Sequence, residues 1–179
     1  MAYTHENPKP AQCRGDVKEV AGWVGDVRKM LAKCPWAFAR DREAAEAIAA
    51  SGNLGPHRPD DVREMLERAG RIYGSTRRRL EEWPLGAAYV ERASLPGVPA
   101  AAREACRYLT ALDADRAQEP NRRGWGSSTT FAGHLLAGME AFGLRETVYA
   151  LELVHKHRRQ LPPGLRATLF AGAGAELAL

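Results

Sequence analysis

The sequence predicts an all-α protein, on the basis of two patterns and one missing pattern. Apolar residues recur at steps of three and four along several segments, which is the spacing of amphipathic helices. Glycines and prolines separate these segments at the intervals expected between short helices. No segment alternates apolar and polar residues with strand formers, as a half-buried strand would. We therefore expect a compact bundle of about six to seven short helices.

The composition is that of an ordinary globular domain. The chain has 179 residues, of which 45% are hydrophobic and 27% are charged. This length is enough to bury a core without disulfides or metals. We expect a flexible N-terminal tail at 1–14, a single helical domain at 15–174 and a loose C-terminus at 175–179, with two helical halves, 15–83 and 99–174 joined by 84–98, as the alternative.

Two helices are predicted before the first long loop. The first begins at Asp16 as its N-cap and stops near Cys34, because Pro35 disfavours helical geometry in the residue before it. The second covers 36–51 and ends at Gly52, a typical C-terminal cap.

A third helix starts after a loop rich in glycine and proline. Asp60 or Asp61 supplies negative charge to its first turn, where the helix dipole favours it. Gly74 either interrupts this helix or lies within it, in which case the helix continues to Trp83. Residues 84–98, bracketed by prolines and glycines, are predicted to be a connection, in which 87–93 is either one helical turn or an irregular link.

The second half predicts three further helices and a short closing one. Pro99 suits the first position of a helix that ends near Leu112. The next helix runs to Phe142, where Gly143 breaks it. The helices that follow begin at Arg145 and at residue 165, separated by a Leu-Pro-Pro-Gly stop.

Charge and cysteine content limit the classes of function. Lysine and arginine number 26 against 22 acids, a net charge of +4 that permits an anionic partner without requiring one. The basic residues are mainly arginines, whose planar fork suits phosphate. Cys13, Cys34 and Cys106 are odd in number and form no CxxC pair, which predicts neither a disulfide framework nor a zinc cluster. With no signal core and no apolar run of about 20 residues, the expected location is the cytoplasm, away from any membrane.

Residues 121–138 carry the densest chemistry in the sequence. A glycine-flanked turn that leads into a helix exposes backbone N–H groups and the positive end of the dipole, so an anion is favoured there. A tryptophan in such a turn provides a face on which a base could stack. The alternative is a capped helix whose tryptophan plugs the core. The predicted contacts are Arg122, Arg123, Trp125, Ser127, Ser128 and Thr129, of which the last three are also the candidate helix caps.

Two further basic clusters are candidate phosphate contacts. One consists of Arg77, Arg78 and Arg79, and the other of Lys156, Arg158 and Arg159 within the helix that begins at Arg145. Either cluster alone is also typical of a solvated helix face. If the clusters share a face with the turn, they would form a surface that follows a phosphate backbone.

Metal binding and catalysis are not predicted. His155 and His157 are two residues apart and cannot face one ligand from a helix, and His134 stands alone on an apolar segment as a core-edge histidine. No phosphate loop, paired carboxylates or nucleophile–base arrangement stands out, so no cofactor is expected. An enzyme is the third possibility, and it would be revived if His134, Ser128 and an acid met in one pocket.

The final third of the chain resembles a small helical segment of phage and mobile-element helicases and related DNA-processing proteins. The resemblance rests on Gly-Trp-Gly-Ser-Ser-Thr-Thr-Phe-Ala-Gly-His-Leu-Leu-Ala at 124–137 and Leu-Val-His-Lys-His-Arg-Arg-Gln-Leu-Pro at 153–162. This chain has serine and threonine where an asparagine and an aspartate often stand. The resemblance implies an accessory, nucleic-acid-associated module without a helicase motor.

The sequence therefore predicts a non-catalytic nucleic-acid-binding accessory protein, of phage or mobile-element origin. The alternative is a protein-binding module, for example a phage-encoded inhibitor of a host defence or replication protein. In that case the arginine clusters would contact an acidic or nucleic-acid-binding groove on the partner protein. The basic charge argues against simple mimicry of nucleic acid, since a mimic should be acidic.

Overall fold

The computed structural model describes residues 17–113 and 123–171, and these residues form helices, turns and loops without any strand. The all-α prediction is confirmed. The expected N-cap Asp16, the tail 1–14, Cys13, Arg122 and the C-terminus 175–179 lie outside the described residues. The helices are α1 (Val17–Lys33), α2 (Arg42–Ser51), α3 (Pro59–Glu81), α4 (Ala87–Ala93), α5 (Val98–Leu112), α6 (Thr130–Ala137), α7 (Leu144–Lys156) and α8 (Pro163–Phe170), with 3-10 helices at Pro35–Asp41 and Arg158–Gln160.

The chain divides into two compact units, Met1–Arg68 and Ala69–Leu179. The boundary falls inside α3, whereas the two-halves alternative from the sequence places the joint at 84–98. Of the two predictions for Gly74, continuation is the correct one, because α3 runs through it to Glu81. The space around Gly74 is open, so nothing in the packing requires a glycine there.

In the first unit, α1 packs against α2 and the 3-10 helix Pro35–Asp41. The prediction of one helix over 36–51 is wrong, because Ala39 takes a φ of 48° and breaks the chain into two helical pieces. This positive φ costs about 1 kcal/mol or more for alanine, and it follows directly after Trp36 and Phe38, which are buried in the core. The predicted C-terminal cap is confirmed at Gly52, whose φ is 71° and whose amide donates to Ile48 at 3.0 Å.

In the second unit, α5 packs against α6, α7 and α8, and α4 packs against α7. Of the two alternatives for 87–93 within the predicted connection 84–98, the helical one is correct, since α4 forms over these seven residues. Arg92 of α4 donates to the carbonyls of Leu169 and Thr168 at 2.8 Å and so satisfies the end of α8. The buried core of this unit includes Leu80, Ala102, Ala105, Cys106, Leu109, Leu136, Val148, Tyr149, Leu151, Val154 and Leu169.

The last predicted helices are shorter than expected. α6 stops at Ala137 and not at Phe142, and the amide of Gly138 donates to the carbonyl of His134 at 3.2 Å. α7 ends at Lys156, so Arg158 and Arg159 lie in the 3-10 helix that follows it and not on α7 itself.

Candidate nucleic-acid interface

The turn at residues 124–129, called here the Gly-Trp turn, is folded around a buried tryptophan. Trp125 is only 2% exposed, and its indole Nε1 donates to Thr110 Oγ1 at 2.8 Å. The ring packs directly on Gly133 of α6, where a Cβ would come within 2.1 Å of the indole Cε2. The predicted stacking role of Trp125 is therefore corrected: the ring fills the core and offers no face to a base.

A glutamine holds the start of the Gly-Trp turn in place. Gly124 has a φ of 70°, which suits glycine, and its amide donates to Gln160 Oε1 at 2.8 Å. The Gln160 amide group donates back to the Gly124 carbonyl at 3.0 Å. This paired hydrogen bond fastens the turn to the 3-10 helix that carries Arg158 and Arg159.

His157 completes the connection between these two segments. Its Nε2 lies 3.1 Å from Thr129 Oγ1, and its Nδ1 lies 3.4 Å from Gln160 Nε2. A neutral ring protonated on Nε2 satisfies both contacts, because it donates to the hydroxyl and accepts from the amide. Burial and the nearby Lys156 lower the pKa of His157, in agreement with a neutral ring, although Asp113 acts in the opposite direction.

The Thr129 side chain forms hydrogen bonds within the turn itself. It is 3% exposed, and its hydroxyl accepts from the Gly126 amide and donates to the Gly126 carbonyl, both at 3.1 Å. The prediction that Thr129 contacts a phosphate is therefore corrected, because the hydroxyl is buried and already bonded. Ser127 and Ser128 are exposed and remain candidates.

Beneath the turn, a buried acid joins α5 to α6. Asp113 is 1% exposed, and its Oδ2 accepts from Thr130 Oγ1 at 2.8 Å and lies 3.1 Å from His134 Nε2. His134 is thus a partly buried histidine with a structural partner, as its position on an apolar segment predicts. Asp113 was not predicted from the sequence, because helix periodicity relates residues three or four apart, whereas Thr130 and His134 are 17 and 21 positions from Asp113.

On its other side, the Gly-Trp turn meets α3. A pocket of about 220 Å³ lies between them, lined by Ser75, Thr76, Arg79, Ser128, Phe131 and Ala132. Arg79 is exposed and its guanidinium lies 5.8 Å from the centre of the Trp83 ring, a cation–π distance. Arg77 instead pairs with Glu81 at 3.0 Å along α3, and Arg78 is exposed without lining the pocket. The structure thus brings Arg79 and Ser128 together.

The remaining predicted contacts are on the surface near the turn. Lys156, Arg158 and Arg159 are exposed, and Arg158 also donates to the His155 carbonyl at 2.9 Å. Arg123, directly before the turn, is exposed as well. Arg79 and the 156–159 segment both adjoin the Gly-Trp turn, one through the shared pocket and the other through Gln160 and His157.

The basic charge belongs to this unit. Residues 69–179 contain 15 lysines and arginines against 11 acids, whereas residues 1–68 contain 11 of each. The net charge of +4 therefore comes from the unit that holds the Gly-Trp turn and its flanking clusters. A net charge confined to one unit favours anions there.

Comparisons of this chain with protein-family models, curated proteins and solved structures found no match. The chemistry of the described residues is therefore the basis for any functional inference. Among them, no group of three or more histidines, cysteines and acids is arranged to hold a metal ion. None of the described helices has the length and hydrophobicity needed to cross a bilayer.

Ser128 and His134 have different neighbours in the described part of the chain. His134 pairs with an acid, Asp113, whereas Ser128 lines the pocket shared with Arg79, and His134 is not among the described residues that line that pocket.

A second cavity lies within the first unit. A groove of about 460 Å³ opens between α1 and the first half of α3, with Trp23, Met30 and Leu66 as its apolar lining. Its charged rim is at least partly paired, since Lys29 meets Asp26 at 3.3 Å and Arg63 meets Asp60 at 3.1 Å. The remaining rim residues are Lys33 and Glu67.

Proposed function

We propose that this chain is a non-catalytic nucleic-acid-binding accessory protein of the cytoplasm, of phage or mobile-element origin. The observation that carries the proposal is the position of the Gly-Trp turn between two basic segments. Arg79 shares a pocket with Ser128 on one side, and Gln160 and His157 fasten the 156–159 segment to the turn on the other. The resemblance of residues 124–137 and 153–162 to helicase-associated segments supports the same nucleic-acid-associated role in a phage or mobile element.

The proposed contacts divide into two groups. The exposed ones are Arg79, Arg123, Ser127, Ser128, Lys156, Arg158 and Arg159, with Arg77 and Arg78 adding charge on α3. Trp125 and Thr129 are buried, so they contribute by setting the shape of the turn and not by touching the nucleic acid. Contacts of this kind go to phosphates and not to base edges, so we expect little sequence preference.

Binding through phosphates has a measurable signature. Each neutralised phosphate releases counterions, so log K falls with log salt at a slope of about −0.9 per phosphate for duplex DNA and about −0.7 for a single strand. Reversing Arg158 and Arg159 to glutamate removes two such contacts. We expect weaker binding and a slope that is smaller in magnitude by about 1.4 to 1.8.

The test is a fluorescence titration of labelled single- and double-stranded DNA and RNA across a salt series. The matched control reverses Arg40 and Arg58, which are exposed in the first unit and change the net charge equally. The proposal predicts a larger loss for the Arg158→Glu, Arg159→Glu variant than for the control. No binding at about 50 mM salt refutes it, and equal losses refute the assignment of the site.

The second candidate, a protein-binding module, is favoured by the groove of Trp23, Met30 and Leu66. An apolar cleft with a charged rim is the usual form of a site for an amphipathic partner helix. A pull-down from nuclease-treated lysate would test it, with Leu66→Glu to block the groove. A partner that survives nuclease, is lost with Leu66→Glu and is kept with the Arg158→Glu, Arg159→Glu variant would favour this candidate over the first.

A further inference from the structure

We propose that the 220 Å³ pocket between α3 and the Gly-Trp turn binds the terminal phosphate of a nucleic-acid strand. This inference rests on the proposed nucleic-acid function and specifies it, because it assigns one pocket to strand ends. It depends on three features of the described residues around the pocket: an arginine that pairs with none of their carboxylates, a hydroxyl that none of them uses, and a lining to which they contribute no acid.

The arginine is Arg79. Within the described parts of the chain it forms no ion pair, whereas its neighbour Arg77 is paired with Glu81. Its cation–π contact with Trp83 holds the guanidinium in one region while leaving its N–H donors for a ligand. A guanidinium in this state suits bidentate contact with phosphate oxygens.

The hydroxyls of the pocket have different roles. Ser75 and Thr76 donate to the Ile72 carbonyl at 3.1 and 2.7 Å, so their protons are already used. Ser128, across the pocket, makes no hydrogen bond to any other described residue, and its hydroxyl is available. Arg79 and Ser128 therefore supply donors from opposite walls.

Size and charge favour a terminal phosphate over an internal one. The pocket is smaller than the roughly 300–1,000 Å³ of sites that enclose whole small molecules, so it fits a group and not an entire ligand. An internal phosphodiester has one charge and continues in both directions. A phosphomonoester has about −1.5 to −2 charge and three free oxygens, which match donors converging from two walls.

Phe131 takes the place that the sequence suggested for Trp125. It lines the same pocket and is partly exposed, whereas Trp125 is buried. With the terminal phosphate bound between Arg79 and Ser128, the sugar or base of that nucleotide would lie against the Phe131 ring. Aromatic contacts of this kind tolerate any base.

The experiment compares three oligonucleotides of one sequence, carrying a 5′-phosphate, a 3′-phosphate or hydroxyl ends only. We expect the full-length chain to bind one of the phosphorylated strands about tenfold more tightly than the hydroxyl-ended strand. Arg79→Gln should abolish this ratio, and Ser128→Ala should reduce it. Arg78→Gln makes the same charge change one residue away and should weaken all strands alike while keeping the ratio.

The possible results separate this inference from the broader function. Salt-dependent binding with equal affinity for all three strands overturns the terminal-phosphate site and leaves the proposed function standing. A ratio that persists in Arg79→Gln shows that the preference does not depend on this pocket, and a ratio that is lost equally in Arg78→Gln shows an effect of charge alone. Either result also overturns the terminal-phosphate site. Adenosine 5′-monophosphate binding as tightly as the phosphorylated strand would reassign the pocket to free nucleotides. No binding of any strand refutes the proposed function itself.

Discussion

Replacing Gly133 with alanine should destabilise the second unit strongly, because the Trp125 ring occupies the space of the new methyl group. A Cβ at Gly133 would lie 2.1 Å from Cε2 and 2.4 Å from Cδ2 of the indole. These atoms belong to the fused centre of the ring and cannot move aside like the end of a flexible chain. The ring is also held by the hydrogen bond from Nε1 to Thr110.

The cost follows from these contacts. Overpacking a core by one methyl group costs about 1–3 kcal/mol, and displacing Trp125 would also break a buried hydrogen bond worth about 1 kcal/mol. Alanine recovers up to about 1 kcal/mol of helix propensity at the same position. The net expectation is a loss of about 1–3 kcal/mol in the free energy of unfolding.

Urea denaturation followed by circular dichroism measures this loss. Gly74→Ala is the matched control, since Gly74 is also a helical glycine and has nothing within 4 Å of its Cβ position. It should stabilise the chain by about 0.5–1 kcal/mol. If Gly133→Ala proves neutral or stabilising like the control, the close packing of Trp125 on α6 is refuted.

Three further predictions concern the network around the turn and the buried thiols. Asp113→Ala leaves the Thr130 hydroxyl and His134 without their buried acceptor and should cost about 2 kcal/mol by urea denaturation, whereas an effect below about 0.5 kcal/mol would contradict the network. His157 has a pKa below its unfolded value of 6.5, so its contribution to stability is complete above that value and declines as the pH falls through the folded pKa. The free energy of unfolding should therefore drop between pH 7.5 and 5.5 more steeply for the natural chain than for His157→Gln, and equal slopes would refute the neutral ring. Burial raises the pKa of the Cys106 and Cys34 thiols, so a thiol reagent followed by peptide mapping should label both only after unfolding, and rapid labelling of the native chain would contradict their burial.

The sequence was most informative where a signal is local. Apolar periodicity located α1, α3, α5 and α7, and Gly52 was recognised as a cap from its place after an alanine-rich helix. It was less informative where two local tendencies compete. The alanine-rich stretch after Pro35 suggested one helix, but the chain breaks at Ala39, directly after the buried Trp36 and Phe38.

For the candidate site, the sequence by itself determined that glycines, hydroxyls, arginines and a tryptophan occur together before a helix. It could not decide which of them face solvent, because that depends on partners far along the chain. Trp125 is buried because its ring packs on Gly133 and its Nε1 donates to the Thr110 hydroxyl. The turn is held in place because Gln160, which is 36 residues further along the chain, hydrogen-bonds Gly124. Only tertiary packing places Arg79 beside Ser128 and fastens the 156–159 segment to the same turn. Hydrogen bonds and ring contacts between residues that are far apart in the sequence produce no three- or four-residue pattern. The pocket could therefore be identified only from the structure.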